Sequence, residues 1–301
     1  MPTQVVVRVP ASSANLGPAF DCLALALDLW NETTFEFSDS PLEIHIFGEG
    51  ENSLPVGEIN LIFRAFQRVY AEVGKPVPGV KIDCKQAIPL GSGLGSSAAA
   101  VLTGLLGANA LIHGSPGDED ILRIGMEFEG HADNLAAALH GGLVLVSGDA
   151  QGYRAQKLEC AEFSTVVVLP EVQLSTQEAR KVLSKQVSRE DAVFNIGHSL
   201  QITEALRTGD IPALSAAMQD RLHQPYRLPL IPGAEEALRA ARASGAAAAL
   251  SGAGPSLIAF VEPGREKAIT EAMRAPFAER GIKTRQYLLK STYTGAQATS
   301  S

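Results

Sequence analysis

Between Pro89 and Ala100 the chain reads Pro89-Leu90-Gly91-Ser92-Gly93-Leu94-Gly95-Ser96-Ser97-Ala98-Ala99-Ala100: three glycines at alternate positions, two consecutive serines, then a run of strong helix formers. Glycine lets the backbone approach a ligand closely and adopt positive φ, so successive N–H groups can converge on an anion. The N-terminus of the following helix adds unsatisfied N–H groups and partial positive charge, and Ser96 and Ser97 add hydroxyls. Phosphate is the ligand that suits this chemistry. A tight turn capping a buried helix is the plainer reading, but glycine at every second position is denser than a turn needs. The pattern is not a P-loop, which requires a lysine before its Ser/Thr, and the dinucleotide fingerprint spaces its glycines differently. Without that lysine, the charge of a triphosphate must be offset by backbone dipoles and a divalent cation, so a carboxylate elsewhere is expected to hold magnesium.

Glu127, Glu129, Asp133 and Asp149 are the acids near that loop in sequence. In Glu129-Gly130-His131-Ala132-Asp133-Asn134 the carboxylates stand beside imidazole and amide groups, just before a helical stretch. Taken alone, Asp133 serves equally well as a helix cap. His131 taken alone is a surface histidine, with no second histidine at metal spacing.

The elements that must position these groups are legible from periodicity. Val80, Ile82 and Cys84 alternate with Lys81, Asp83 and Lys85 as a short strand that runs into the glycine loop. No Asp, Glu, Lys or Arg occurs from Gln86 to Gly117. Its apolar part, Ala98 to Ile112, is shorter than the ~20 residues a bilayer requires, so a buried helix is expected. Upstream, Val5, Val7 and Val9, then Leu23 to Leu29, Phe35 and Phe37, and Leu42, Ile44 and Ile46 repeat a period of two, which predicts several half-buried strands. Asn60 caps an amphipathic helix carrying Ile62, Ala65, Phe66, Val69 and Val73, and Gly74 ends it. A helical stretch is expected from Asp118 to His140 and a buried strand from Leu143 to Val146. The polar segment Gly148 to Gly152 marks a domain boundary, dividing the chain into residues 1–150 and 151–301. The second part should hold a strand Thr165 to Leu169, a helix with the capping box Ser175 and Glu178, helices Glu190 to Thr208, Ala234 to Ala243 and Glu266 to Glu279, and strands Ala246 to Leu250, Leu257 to Val261 and Lys283 to Leu289. Alternating strands and helices suggest a two-layer sandwich, with Gly295 to Ser301 as a frayed polar tail.

With 301 residues, 46% of them hydrophobic and 19% charged, the chain has the composition of an α+β or α/β protein and not of a disordered or fibrous one. A formal charge of −8, with no long basic run and 6% aromatic residues, argues against nucleic acid as a partner. Cys22, Cys84 and Cys160 lie far apart and show no metal or redox spacing, which fits a reducing cytoplasm. Met1 to Pro10 lacks the apolar segment of a secretory signal, so neither export nor a membrane partner is expected.

Here the residues meet a known family. Pro89 to Ala100 resembles the phosphate loop of the GHMP kinases, the superfamily of galactokinase, homoserine kinase, mevalonate kinase and phosphomevalonate kinase. Arg8-Val9-Pro10-Ala11-Ser12-Ser13-Ala14-Asn15-Leu16-Gly17-Pro18-Ala19-Phe20-Asp21 is similar to the N-terminal motif of its homoserine kinase members, and Glu129 to Asn134 to their Glu-Gly-His-x-Asp-Asn segment. Ser251-Gly252-Ala253-Gly254-Pro255-Ser256 resembles the superfamily's C-terminal glycine-rich loop. The matches run from Arg8 to Ser256 in family order.

The resemblance implies an α+β GHMP kinase fold: an N-terminal domain like ribosomal protein S5 domain 2 that binds ATP, and a ferredoxin-like C-terminal α/β sandwich domain. It implies transfer of the ATP γ-phosphoryl group to the hydroxyl of L-homoserine, giving O-phospho-L-homoserine for threonine biosynthesis. ATP would lie along Pro89 to Ala98, with magnesium on Ser96 or Ser97 and on Glu129, or on Glu127 if the alignment slips. Homoserine is a zwitterion, so its site needs a cation for the carboxylate and acceptors for the ammonium, and an arginine fork suits a carboxylate. By the family pattern Arg180 and Arg227 would supply the cation, where residue type alone suggests an exposed helix arginine and a loop charge. Asn15, Asp21 and Asn134 would hold the ammonium and the hydroxyl. Asp21 and Glu129 are the expected catalytic residues, Asp21 by orienting the hydroxyl whether or not it takes the proton. Homodimers are usual among such proteins. The competing readings are another kinase of the superfamily, acting on mevalonate or a sugar, and a nucleotide-binding regulator without catalysis.

Overall fold

The computed structural model describes residues 4–114, 116–149 and 152–300. Its first half is built on a mixed sheet. Strand β1 (Gln4–Ala14) runs antiparallel to the long β2 (Leu23–Phe37), with an irregularity at Pro10/Ala11 that bends the pair. The separate strands expected between Leu23 and Phe37 are therefore one ribbon. Its first residues pair with β5 (Leu143–Asp149) and its last with β4 (Val80–Gln86). Strand β3 (Leu42–Gly48) lies parallel to β4 at the edge, a crossover that helix α1 (Leu61–Glu72) makes possible. The Asn60 side chain caps α1 as expected, accepting from the N–H of Ile62 at 2.9 Å.

Helix α2 (Ser96–Leu111) is apolar on every side because every side is covered, by α1, β1, α3 (Asp118–Glu129) and α4 (Asp133–His140). Its charge-free sequence thus reflects the burial of most of the helix, and no helix among the described residues is long and apolar enough to cross a membrane. Gly107 of α2 lies against the ring of Phe35, which stacks on Phe66 of α1 at 5.6 Å between centroids. The single helical stretch expected from Asp118 to His140 is two helices. Gly130, at φ 74°, ends α3 in the left-handed conformation and turns the chain into α4.

The expected boundary at 150/151 lies outside the described residues; of the described ones, β6 (Gly152–Leu158) is still paired with β5 in the first sheet. On strand pairing the chain leaves that sheet only after Leu158. The second sheet has the order β10-β7-β9-β8, all antiparallel, from β7 (Ser164–Pro170), β8 (Ala247–Leu250), β9 (Leu257–Val261) and β10 (Thr284–Lys290). Between β7 and β8 come α5 (Thr176–Lys181), α6 (Arg189–Thr208), α7 (Ile211–Ala217), the single turn α8 (Gln224–Arg227) and α9 (Ala234–Ala243); α10 (Glu266–Ala278) links β9 to β10. Val166, Val168, Leu257 and Ala259 face α9 and α10, while Val167, Ile258 and Phe260 join the core shared with the first sheet, α6 and α7. Burial on both faces explains why these strands read as unbroken apolar runs.

The C-terminal tail corrects an expectation. Gln297–Ser300 is strand β11, antiparallel to β1 and closing the edge of the first sheet. Short polar side chains gave no alternating signal, but backbone N–H and C=O groups pair whatever the side chain.

Candidate active site

Three glycine-containing loops meet between the sheets. In the first, Gly91, Gly93 and Gly95 have φ of 57°, 80° and 71°. A Cβ on Gly93 would strike the Ser251 and Gly254 carbonyls, and one on Gly95 the Ser12 hydroxyl, so left-handed backbone and close approach both demand glycine. Gly95 precedes α2 with no side-chain cap, leaving first-turn N–H groups available to a ligand. The second loop, 251–256, is tied to the first: Ser251 Oγ donates to Gly93 O at 2.8 Å and Ser256 N to Ser92 O at 3.1 Å. The end of β1 joins both, through Ser13 Oγ and Ser251 Oγ at 2.8 Å and Gly252 N donating to Ala14 O at 3.0 Å.

A cavity of about 90 Å³ opens at this junction. Gly91, Ser92, Gly93, Gly95, Ser96, Ser97 and Ala98 line it, and so do Asn15, Asp21, Glu129, Asn134, Arg180 and Arg227. Pro89 and Leu94 do not; the Pro89 carbonyl accepts from Ser92 Oγ at 2.7 Å, and Leu94 is buried beneath the loop. Leu90 lines a second, mainly apolar cavity of about 270 Å³, which shares Gly91, Ser96 and Ser97 with the first and is walled by Ile46, Leu54, Pro55, Ile62 and Ala100. Sequence reasoning missed this second cavity because its walls are residues that read as ordinary core. Apolar walls beside a phosphate loop suit a nucleobase.

The carboxylates separate by helix geometry. Residues 127 and 129 are about 200° apart around a helix. Glu127 therefore points outward and accepts from Arg68 Nε at 2.8 Å, while Glu129 points into the cavity and accepts from Ser97 Oγ. Among the described residues no three His, Cys, Asp or Glu side chains cluster as a metal cage. One carboxylate beside one hydroxyl is nevertheless the oxygen donor set expected of a magnesium ion that keeps waters and phosphate oxygens as its other ligands. His131 Nδ1 lies 2.8 Å from Asp133 Oδ1. Burial pulls its pKa down, Asp133 pulls it up, and the net direction is upward.

The loop after β1 is strained: Asn15, Leu16 and Asp21 have φ of 71°, 42° and 56°. Asn15 braces it, its Oδ1 accepting from Asp21 N at 2.9 Å and its Nδ2 donating to Gly252 O at 2.8 Å. Asn134 Oδ1 accepts from Ser12 Oγ at 2.9 Å. Asp21 is gripped by Arg180, Nη2 to Oδ1 at 2.7 Å and Nη1 to Oδ2 at 3.0 Å. Arg227 is 1% exposed yet reaches the cavity, and no carboxylate among the described residues pairs with it. Burial, and then the charge of Arg180, draw its pKa down to about 10, so it stays cationic at neutral pH. Thr176, His131 and Asp133 also line the cavity. Phe20 and His223 buttress it, their rings stacked at 5.3 Å.

A strand, glycine loop and buried helix facing a second sheet across an anion-binding cleft is the architecture of a GHMP kinase. Residues 60–142 match the family model of the GHMP kinases N terminal domain, and residues 202–279 that of the GHMP kinases C terminal. The homoserine kinase of Moorella thermoacetica is 46% identical over 280 residues, covering 92% of this chain and 94% of that protein. That of a Synechococcus species is 42% identical over 299 residues, covering 98% and 97%. The crystal structure of homoserine kinase from Cytophaga hutchinsonii superposes with a TM-score of 0.88 at 30% identity, covering 99% of this chain and 98% of that one. The chain belongs to the homoserine kinase family.

Proposed function

We propose that this protein phosphorylates the side-chain hydroxyl of L-homoserine with ATP, in threonine biosynthesis. The hydroxyl oxygen forms a bond to the γ-phosphorus, the bond from that phosphorus to the β,γ-bridging oxygen breaks with its electron pair leaving on ADP, and the hydroxyl proton is released. The observation that carries this reading is the single cleft in which the glycine loop, the carboxylates of Asp21, Glu129 and Asp133, and the carboxylate-free guanidinium of Arg227 converge.

Each part has a role that follows from its charge. The polyphosphate lies along Gly91 to Ala98, where backbone N–H groups and the α2 N-terminus oppose its charge, and the base enters the apolar cavity beside Leu54. Ser97 and Glu129 are the groups that would hold magnesium, which would supply neutralisation of phosphate charge. Arg227 binds the amino-acid carboxylate. Asp21 and Asp133 favour an acceptor with an ammonium group over a hydroxy acid such as mevalonate, and Asn134 contributes a polar wall. Asp21 orients the hydroxyl. A loose phosphoryl-transfer transition state asks chiefly for such alignment and charge stabilisation.

This reading includes a cytoplasmic enzyme, in keeping with three unpaired cysteines, and a homodimer. Val193, Ile196 and Leu200 form an exposed apolar stripe along α6, a surface that a second copy of the chain would cover. Light scattering of the purified chain reads the oligomeric state.

The test of function is ADP release from magnesium ATP with L-homoserine, D-homoserine, L-threonine, mevalonate and galactose as acceptors. Strong release with L-homoserine alone is expected. A protein that binds ATP but answers to none of them, or prefers mevalonate or galactose, overturns the assignment.

A further inference from the structure

Arg227 is held by three neutral acceptors from three separate parts of the chain. Its Nε donates to Ala179 O at 3.0 Å, and its Nη1 to Gly252 O at 3.2 Å and to His223 Nδ1 at 3.3 Å. No partner among the described residues takes the Nη2 hydrogens. Because none of the acceptors carries charge, the guanidinium is fixed in place without being neutralised, and its full positive charge remains for a ligand. Arg180, by contrast, spends its fork on Asp21.

The imidazole of His223 is completely buried, and its two nitrogens have different duties. Nε2 lies 2.6 Å from Gly17 O, and a carbonyl only accepts, so Nε2 carries the proton. Nδ1 then holds the lone pair that meets Arg227 Nη1, which only donates. The ring stacks on Phe20, whose face also lies 5.1 Å from the Arg227 guanidinium carbon. Its backbone is clamped by Asp220, whose carboxylate accepts from the N–H groups of Leu222, His223 and Gln224 at 2.9, 3.0 and 2.6 Å. Four residues on, Arg227 emerges on the same face of the turn.

We propose that His223 is a positioning residue for recognition of the acceptor's carboxylate: through its unprotonated Nδ1 it aims Arg227 into the cavity, and through Nε2–H it ties that aim to the Gly17 loop carrying Asp21. The proposal rests on the reading of Arg227 as the carboxylate receptor. Nothing in the residue pattern of the chain singled out His223. It becomes visible only when the two loops that it joins are placed together.

The test compares two amides that each keep one half of the imidazole. In His223→Asn the side-chain oxygen can stand where Nδ1 stood and still accept from Arg227; in His223→Gln the amide can reach Gly17 but offers nothing at the Nδ1 position. We expect His223→Gln to raise the KM for L-homoserine about tenfold or more, with kcat and the KM for ATP within about threefold, and His223→Asn, which keeps the Arg227 contact but loses the tie to the Asp21 loop, to hold that KM within about threefold while kcat falls. With 3-aminopropan-1-ol, an acceptor lacking the carboxylate, kcat/KM should be the same for His223→Gln and the parent. A parent-like homoserine KM in folded His223→Gln, or an equal rise in the KM for ATP, overturns the proposal. Nitrogen-15 NMR of the parent's imidazoles, which needs no variant, should show His223 protonated at Nε2 alone at neutral pH; a proton on Nδ1 overturns it. Arg227→Ala is measured alongside. If that variant leaves the homoserine KM unchanged, the reading of Arg227 itself fails, whereas a large rise there with none in His223→Gln sinks only the role of His223.

Discussion

Arg180 and Asp21 are joined by two parallel hydrogen bonds, 2.7 and 3.0 Å long, across 159 residues of sequence. The family pattern sends Arg180 to the substrate carboxylate and Asp21 to its hydroxyl or ammonium. On the proposed function both would serve a zwitterion: an incoming ammonium would replace the guanidinium at Asp21 while an incoming carboxylate would replace Asp21 at the guanidinium. An acceptor lacking either charge would leave one half of the pair uncompensated in a partly buried site.

Asp21→Asn should therefore lower kcat by about a hundredfold, in the range a positioned polar group contributes to a transferring proton and its oxygen. Near-normal turnover in the folded variant would remove Asp21 from the chemistry. Arg180→Ala should cost both kcat and the homoserine KM, and the double variant should be non-additive by about 1 kcal/mol, as expected for groups in direct contact.

Glu129→Gln should raise the magnesium concentration needed for half-maximal rate, because the carboxylate beside Ser97 is lost. Glu127→Gln, which only releases Arg68 of α1 and Arg123 of α3 away from the cavity, should leave that titration where it was. The reverse order would exchange the two residues. At Glu127 the expected cost is in stability alone, about 0.5 kcal/mol for half-exposed ion pairs, read from chemical denaturation.

Gly95→Ala should weaken ATP binding more than it weakens folding. A methyl group there meets Ser12 Oγ and, at 3.2 Å, Asn134 Oδ1, and the left-handed backbone costs alanine about 1 kcal/mol besides. We expect the Kd for the nucleotide to rise at least about tenfold, corresponding to about 1.4 kcal/mol. Isothermal titration with a non-hydrolysable ATP analogue measures it; unchanged affinity would place the phosphates elsewhere.

His223 also predicts a pH dependence of stability. Burial holds its pKa below the ordinary 6.5, against the pull of Asp220 and with the help of Arg227. Below that value the unfolded chain binds a proton that the folded protein resists, so stability is lost as pH falls from about 7 toward 5. His131, whose pKa is raised, acts with the opposite sign, its contribution fading as pH rises above 6.5. The difference between the parent and His223→Asn isolates the first effect: the parent's Tm should fall more steeply on acidification. Parallel curves would contradict it.

What the chain announces by itself is local. The glycine loop, the Asn60 cap, the capping box at Ser175 and Glu178, the strand and helix periods and the two glycine-rich segments all follow from hydrogen bonds and burial patterns within a few residues of one another. The family motifs brought Asn15, Asp21, Glu129, Asn134, Arg180 and Arg227 into view, and all six line one cavity. Tertiary structure decided the rest. Glu129 rather than Glu127 faces the cavity because of where α3 lies against α2, and the tail becomes β11 because β1 offers it an open edge. Arg180 meets Asp21, and His223 meets Gly17 across 206 residues, because the two sheets close on one another. Such contacts depend on the relative placement of whole elements, which residue type and spacing do not encode, whereas the capacity to turn, to cap and to bind an anion is carried by the residues themselves.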